Sequence, residues 1–155
     1  MDFRFKALGA DRFQELFGQD CDALARLGVQ RMVVDDNPGY PCRVSLRDAE
    51  VGEKVLLMNY EHQPMPTPFR SSHAIFVREW ATQVIPDRNE IPKMFRQRLL
   101  SVRAFDASGM MIDADVIDGE RLESLIEHML ENESTDNLHI HNAKLGCYAA
   151  LVERG

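Results

Sequence analysis

Residues 99–117 read LLSVRAFDASGMMIDADVI, and they contain the strongest structural pattern in the chain. Two runs rich in apolar and β-branched residues, Leu99–Asp106 and Met110–Ile117, flank a three-residue connection that ends at Gly109. Connections of this length with glycine in the left-handed region are common in β-hairpins. The stretch therefore predicts an antiparallel hairpin.

The hairpin also carries acidic residues whose role depends on its register. A simple count from the connection places Arg103 opposite Asp113. Because strand side chains alternate, Asp113 and Asp115 lie on one face of the hairpin. Together with Asp106 these carboxylates could be an acidic metal site, but their spacing does not match a calcium loop. We favour a cross-strand ion pair between Arg103 and Asp113.

The residues after the hairpin predict the longest helix, Gly119–Glu133, with His128 facing solvent. Its apolar residues recur with the i, i+3, i+4, i+7 spacing of an amphipathic helix: Leu122, Leu125, Ile126, Met129 and Leu130. Further short apolar runs predict strands, including Arg43–Leu46. Together these patterns predict a single compact α+β domain with an antiparallel or mixed sheet of about 7–8 short strands and about three helices.

Composition limits the classes of function. The 155 residues suit one domain over residues 1–155, with no internal boundary. The formal charge of −7 and the pI near 5.2 disfavour nucleic-acid binding, because an acidic surface repels phosphates. No apolar run approaches the roughly 20 residues that span a bilayer, so no membrane partner is expected.

Cysteine usage indicates a compartment. The three cysteines are an odd number and none lies in a CxxC pair, which favours reduced thiols over a secreted disulfide framework. The start of the chain, MDFRFKALG, lacks the apolar run of a signal peptide. We therefore expect a soluble cytoplasmic protein.

Four short polar segments contain four of the five histidines and two of the three cysteines. Each segment also carries turn residues or a run of charged and amide groups. Such a concentration predicts that the segments line one polar pocket. They are Pro38–Arg43, Asn59–Pro64, Phe69–Glu79 and His139–Ala149.

The last segment suggests a metal site. His139 and His141 lie two apart, so on a strand both imidazoles project from one face. If residues 142–146 form a loop, Cys147 lies opposite His141 and could complete a set of three zinc ligands. Cys42, His62 or His73 would supply the fourth, although no spacing here matches a standard zinc motif. The alternative is a purely structural hydrogen-bond network.

Thiol catalysis is a second interpretation. Cys42 follows a rigid proline turn and precedes Arg43, whose guanidinium would stabilise a nucleophilic thiolate. His62 and His73 are candidate partners as general bases, and Cys147 is a second candidate nucleophile. The alternative is that these cysteines are small buried residues, since free cysteine is often fully buried.

Anion binding is a third interpretation. Several hydrogen-bond donors lie at the entrance of a predicted strand, namely Arg70, Ser71, Ser72 and His73, and Arg43 adds a cation. Such groups could hold a carboxylate or phosphate. They could equally anchor a loop through its backbone carbonyls. His139 and His141 belong to the same set of candidate ligand-binding residues.

The chain resembles the uncharacterised bacterial domain-of-unknown-function family 1203 from about Phe3 to Arg154. The resemblance lies in the stretches PGYPCRVSL, NYEHQ, RSSHAIFVRE, FDASGMMIDADVIDG and HNAKLGCYAA, in that order. It implies one compact domain of about this length. It implies no activity, cofactor or partner.

Three functional hypotheses stay open at this point. The first is a pocket that binds a small anionic molecule, and the second is an enzyme with a thiol nucleophile or a metal-activated water. The third is a structural or interaction module without a catalytic site, for which a homo-oligomer is allowed but not indicated. Zinc is the cofactor that the second hypothesis admits.

Overall fold

The structure is a computed structural model that describes all residues, 1–155. It has eight strands in two antiparallel sheets and three α-helices, which confirms the α+β class. The strands are β1 (Phe3–Lys6), β2 (Gln30–Val33), β3 (Lys54–Gln63), β4 (Ser71–Arg78), β5 (Leu99–Phe105), β6 (Met111–Asp118), β7 (Asn137–Asn142) and β8 (Tyr148–Arg154). The helices are α1 (Cys21–Arg26), α2 (Lys93–Arg96) and α3 (Leu122–Glu131).

The larger sheet has the strand order β1-β8-β7-β5-β6, and α3 packs against it. The apolar stripe of α3 buries its side chains against alternate residues of the central strands, such as Val102 of β5 and Ile140 of β7. Because strand side chains alternate, the neighbours of Ile140, namely His139 and His141, lie on the other face of the sheet.

The smaller sheet has the order β2-β3-β4 and builds a second apolar cluster. This cluster includes Leu56 and Ile75, and it also includes Tyr148 of β8 in the larger sheet. Tyr148 therefore links the two sheets on the face that is not covered by α3. The histidines of β7 occupy this inter-sheet region.

The predicted hairpin forms, but its predicted register is wrong by one residue. Gly109 has a φ of 85°, the left-handed conformation that the connection requires. An irregularity between Ala104 and Phe105 moves Ala104 opposite Asp113 and Arg103 opposite Ala114. The expected ion pair between Arg103 and Asp113 is consequently absent, because the two side chains point to opposite faces.

The strand predicted at Arg43–Leu46 is also wrong. Residues 43–45 form a turn, the isolated bridges next to it are those of Pro41 with Asp48 and of Cys42 with Phe76, and Leu46 adopts a positive φ of 48°. Helix α3 begins at Leu122 after a 3₁₀ turn, so it is shorter than predicted. No helix in the structure has the length and apolarity that crossing a membrane requires.

Candidate metal centre and ligand cleft

Four histidines from three strands converge between the sheets. His62 comes from β3, His73 from β4, and His139 and His141 from β7. The ring centroid of His62 lies 4.9 Å from that of His73, 5.3 Å from that of His139 and 4.8 Å from that of His141. The pairing of β3 with β4 shifts register between Tyr60 and Gln63, where His62 lies. Such irregularities re-aim side chains, and here the side chain of His62 faces the larger sheet.

His141 is arranged as a metal ligand. Its Nδ1 lies 2.9 Å from the carbonyl oxygen of Gly146, so Nδ1 carries the proton and donates it. The lone pair is then on Nε2, which is buried and has no hydrogen-bond partner. A ligating histidine commonly donates its other N–H to a backbone carbonyl, which fixes the tautomer and the ring.

His73 contributes a second free nitrogen. Its Nδ1 is buried and has no partner, while the residue as a whole is half-buried. An unpaired buried polar atom costs roughly 1–3 kcal/mol, so two such atoms in one cluster favour the binding of a water molecule or a metal ion between them.

His62 completes the trio but has both nitrogens occupied. Nδ1 lies 3.1 Å from Nδ1 of His139, and Nε2 lies 3.0 Å from Oγ of Ser71. One tautomer of His62 donates from Nδ1 to His139 and leaves the Nε2 lone pair for an ion. In that tautomer an ion would replace the hydroxyl of Ser71 at Nε2, and Ser71 would donate its one proton to the carbonyl of Phe69, at 3.1 Å.

The spacing of the trio is close to what an ion needs. The candidate ligand atoms of His62, His73 and His141 all lie within 4.8 Å of one another. Nitrogens at 2.0–2.1 Å from a tetrahedral zinc are about 3.3 Å apart. The three side chains would therefore close by up to about 1.5 Å around an ion, which rotation about the side-chain bonds can supply.

All four imidazoles are neutral near pH 7. Burial is the largest cause, and it lowers the pKa of His62 to about 3, of His139 to about 4 and of His141 to about 2. Burial also lowers the pKa of His73. The positive charge of Arg103 lowers all four values further. Neutral imidazole is the form that binds metals, so protons do not compete with an ion here.

Two further side chains complete the walls of the centre. The ring of Tyr148 stacks on His62 with a centroid distance of 5.2 Å and an interplanar angle of 8°. Arg103 lies opposite His139 on β5 and forms no ion pair with a carboxylate. Its charge opposes a bare dication, so the centre favours an ion that carries an anionic ligand such as hydroxide or carboxylate.

A cleft with a volume of about 650 Å³ lies beside the centre, and His73 belongs to both. This volume is typical of small-molecule sites. The cleft is lined by residues of both sheets and of the loop before β8, without any aspartate or glutamate. Its charged residues are Arg43, Arg98 and Lys144, and its apolar residues include Leu57, Phe76, Leu99 and Leu145.

The structure thus brings all four polar segments together, although two candidate residues face elsewhere. Arg70 lies on the surface, where its Nε donates to Glu61 at 3.0 Å, and neither Arg70 nor Ser72 lines the cleft. Their predicted anion-binding role is not supported, because the register of β4 directs His73 rather than Ser72 towards the cleft.

Cys42 is another correction. It is fully buried, and its sulfur accepts the backbone N–H groups of Ser45 at 3.5 Å and of Arg78 at 3.2 Å. A thiol without access to a substrate is not a nucleophile, so the structural alternative describes Cys42. The predicted hydrogen bond between Cys42 and a histidine is absent, because the sulfur of Cys42 contacts backbone N–H groups instead.

Cys147 is separated from the histidines as well. The pairing of β7 and β8 shifts register between Ile140 and His141, so His141 lies opposite Tyr148 and not opposite Cys147. The predicted ligand set of His139, His141 and Cys147 does not converge. Cys147 lines the cleft instead, where its sulfur accepts from Nδ2 of Asn142 at 3.4 Å.

The sequence interpretation missed several residues of this region. Arg103 and Tyr148 face the histidines, while Arg98 and Lys144 line the cleft. Ser71, one of the donors predicted to bind an anion, contacts His62 instead. Tyr148 lies within a polar segment and could have been found by its proximity to Cys147. Arg103 pairs with His139 across two strands, which no local pattern reveals.

Comparison with known proteins gives the family and no function. A family model described as "Protein of unknown function (DUF1203)" matches residues 39–154, which include all four histidines of the centre and every residue lining the cleft. No curated protein and no solved structure matches the chain. The match covers well over half of the sequence, and the chain belongs to the DUF1203 family.

Proposed function

We propose that this protein binds one divalent transition-metal ion through His62, His73 and His141, and that the ion acts on a small molecule held in the adjacent cleft. The observation that supports this most directly is the buried Nε2 of His141. It is unprotonated, has no partner and faces a cluster of two further imidazoles.

The donor set favours a particular class of ion. Three neutral imidazoles suit zinc, copper, nickel or iron, whereas magnesium and calcium prefer oxygen ligands. Three protein ligands are the number found in catalytic zinc sites, which keep a fourth position for water or substrate. Such an ion supplies an activated water or polarises a carbonyl group.

His139 acts in this scheme as a positioning residue. Its Nδ1 lies 3.1 Å from Nδ1 of His62, and in this scheme it accepts from that atom and so holds the tautomer of His62 with a lone pair on Nε2. The carbonyl of Gly146 has the same role towards His141. The protein thereby orients two of the three ligands before the ion arrives, which reduces the entropy cost of binding.

The test is metal stoichiometry of untagged protein, measured by elemental analysis after incubation with zinc and removal of the excess. We expect about one equivalent in the native chain and less than about 0.2 equivalent in His141→Phe. His128→Ala is the matched control, because His128 lies on α3 with 74% of its side chain exposed. Circular dichroism shows whether each variant is folded.

Two results would overturn the proposal. The first is native protein that retains no metal after loading, which would leave the histidines as a neutral hydrogen-bond network of the core. The second is full retention of metal by a folded His141→Phe variant, which would place the ion elsewhere.

We further propose that the protein acts in the bacterial cytoplasm. Support comes from its three free cysteines, none of them paired, which fit a reducing compartment. Exposed Cys21 in particular would be an oxidation liability outside the cell.

A further inference from the structure

The cleft contains a buried cation without a counter-charge. Arg43 is 1% exposed, and its guanidinium donates from Nε to the carbonyl of Tyr148 at 2.8 Å and from Nη1 to the carbonyl of Pro41. It forms no ion pair with a carboxylate, and the side chain that hydrogen-bonds to it is the thiol of Cys147. A buried charge is normally paired because desolvation is costly. Arg43 therefore lacks a carboxylate partner.

The surroundings of Arg43 have the same sign of charge. Lys144 is exposed at the rim of the cleft and has no ion pair, while Arg98 is neutralised by Asp48 at 2.9 Å. No carboxylate lines the cleft, although the chain has 25 acidic and only 18 basic residues. A positive cleft in an acidic protein attracts anions and repels cations.

The rest of the cleft is apolar. Leu57 and Phe76 come from the smaller sheet, Leu99 from the larger sheet, and Leu145 from the β7–β8 loop. Leu145 is 85% exposed at the rim, where it lacks the packing that a leucine usually has. These side chains suit the hydrocarbon part of a ligand, whereas a strongly hydrated phosphate would leave them in contact with water.

We propose that the cleft binds a small amphipathic carboxylate, with its carboxylate at Nη2 of Arg43 and near Lys144, and its apolar part against Phe76, Leu99 and Leu145. This inference names the class of ligand in the proposed function. It rests on that function only in that His73 both lines the cleft and is a proposed metal ligand. The charge and shape of the cleft support it without a metal.

Cys147 provides a local probe, because it lines the same cleft and lies beside Arg43. The experiment compares alkylation by iodoacetate, which is a carboxylate, with alkylation by neutral iodoacetamide. Peptide mass spectrometry follows Cys147 and the exposed Cys21 separately in one sample. We expect the iodoacetate-to-iodoacetamide rate ratio to be about tenfold higher at Cys147 than at Cys21, because a positive cleft concentrates anions.

The second arm tests the apolar part of the ligand. Octanoate should slow the reaction of Cys147 with iodoacetamide in a saturable manner, while octanamide and inorganic phosphate at equal concentration should not. In Lys144→Gln, an exposed substitution that does not threaten folding, both the rate ratio and the protection should fall at least threefold. Lys6→Gln on β1, which is also exposed, is the matched control and should change neither.

Equal rate ratios at the two cysteines, or protection by octanamide as strong as that by octanoate, would overturn the inference. Stronger protection by phosphate than by octanoate would overturn the carboxylate assignment. Each arm is run on zinc-loaded protein and on protein treated with a chelator. Protection by octanoate without bound metal would support the carboxylate site even if the metal proposal failed. Binding of zinc without protection by octanoate would support the metal proposal and overturn the carboxylate site.

Discussion

The Nδ1 of His141 and the carbonyl oxygen of Gly146 lie 2.9 Å apart, within the tight connection between β7 and β8. This hydrogen bond determines which nitrogen of His141 keeps its lone pair. The connection therefore orients a ligand of the proposed metal centre while it also joins two strands of the larger sheet.

Replacement of His139 by phenylalanine should weaken zinc binding about 10- to 100-fold, which is the usual cost of removing a group that orients a metal ligand. Phenylalanine keeps the ring volume next to Phe105, whose centroid lies 4.6 Å away, but cannot accept from His62. Competition with a chromophoric chelator gives the dissociation constant. An unchanged constant would show that His139 has no positioning role.

Metal-free protein should lose stability steeply as the pH falls from about 6.5 to 4. The folded-state pKa values of His62, His139 and His141 are about 3, 4 and 2, all below the ordinary 6.5, so the unfolded chain takes up protons that the folded chain does not. The stability is fully present above pH 6.5 and declines below it, by about 1.4 kcal/mol per pH unit for each group.

Urea unfolding in a chelator at several pH values measures this decline, which has an upper limit near 4 kcal/mol per pH unit. His139→Phe should reduce the slope by up to about one third, because one of the three strongly shifted groups is removed while His73, whose pKa is also lowered, still contributes. His128→Ala should leave the slope unchanged, since His128 is exposed. A native slope near zero in this range would contradict the burial of neutral histidines.

Glu53 should govern a second, more acidic transition. Its side-chain hydrogen bonds, of which those from Arg78 are the largest cause, lower its pKa to about 2 from the ordinary 4.5. The carboxylate therefore stabilises the fold above pH 4.5, and this contribution is lost as the pH falls from 4.5 to 2. Because Glu53 is partly exposed, we expect Glu53→Gln to cost only about 1–2 kcal/mol at pH 7.

The check for Glu53 is the free energy of unfolding of the two proteins as a function of pH. The curves for native protein and Glu53→Gln should differ at pH 7 and converge towards pH 2. Glu61→Gln is a suitable comparison, because Glu61 forms an exposed pair with Arg70 and should change stability by less than about 1 kcal/mol. Parallel curves would contradict the role of Glu53.

Gly146→Ala should affect stability and metal binding together. Gly146 has a φ of 77°, and no atom lies within 4 Å of an added Cβ, so the cost is the left-handed backbone alone, about 1–2 kcal/mol. Gly28→Ala after α1 has the same geometry, with a φ of 72° and open space around the Cβ. Both variants should lose similar stability, but only Gly146→Ala should weaken zinc binding, because relaxation of the strained backbone would shift the carbonyl that orients His141. Equal zinc affinities would contradict this link.

Periodicity in the sequence predicted the elements that depend on local pattern. The hairpin at residues 99–118 and the apolar stripe of α3 form as expected, because alternation and the 3.6-residue repeat are properties of neighbouring residues. The strand predicted at Arg43–Leu46 was wrong. Polar and apolar residues alternate there, as in a strand, whereas the positive φ of Leu46 and the turns around it have no signature in the neighbouring sequence. The predicted register of the hairpin was also wrong, since the position of a bulge depends on the partner strand.

The location of the site was predicted from local sequence, but its ligand set was not. Clustering of histidines in a few segments indicated where His62, His73, His139 and His141 would meet. The choice of ligands depended on tautomers and on a one-residue shift between β7 and β8, neither of which is visible in the order of the residues.

That shift between β7 and β8 has a chemical effect beyond the geometry of one hairpin. By placing Tyr148 opposite His141, it keeps the sulfur of Cys147 out of the proposed ligand set. Thiolate prefers soft ions such as Cu⁺, whereas imidazole suits borderline ions such as Zn²⁺. One extra residue in a strand thereby changes the metal preference expected of the proposed centre, from that of a mixed sulfur and nitrogen set to that of imidazoles alone.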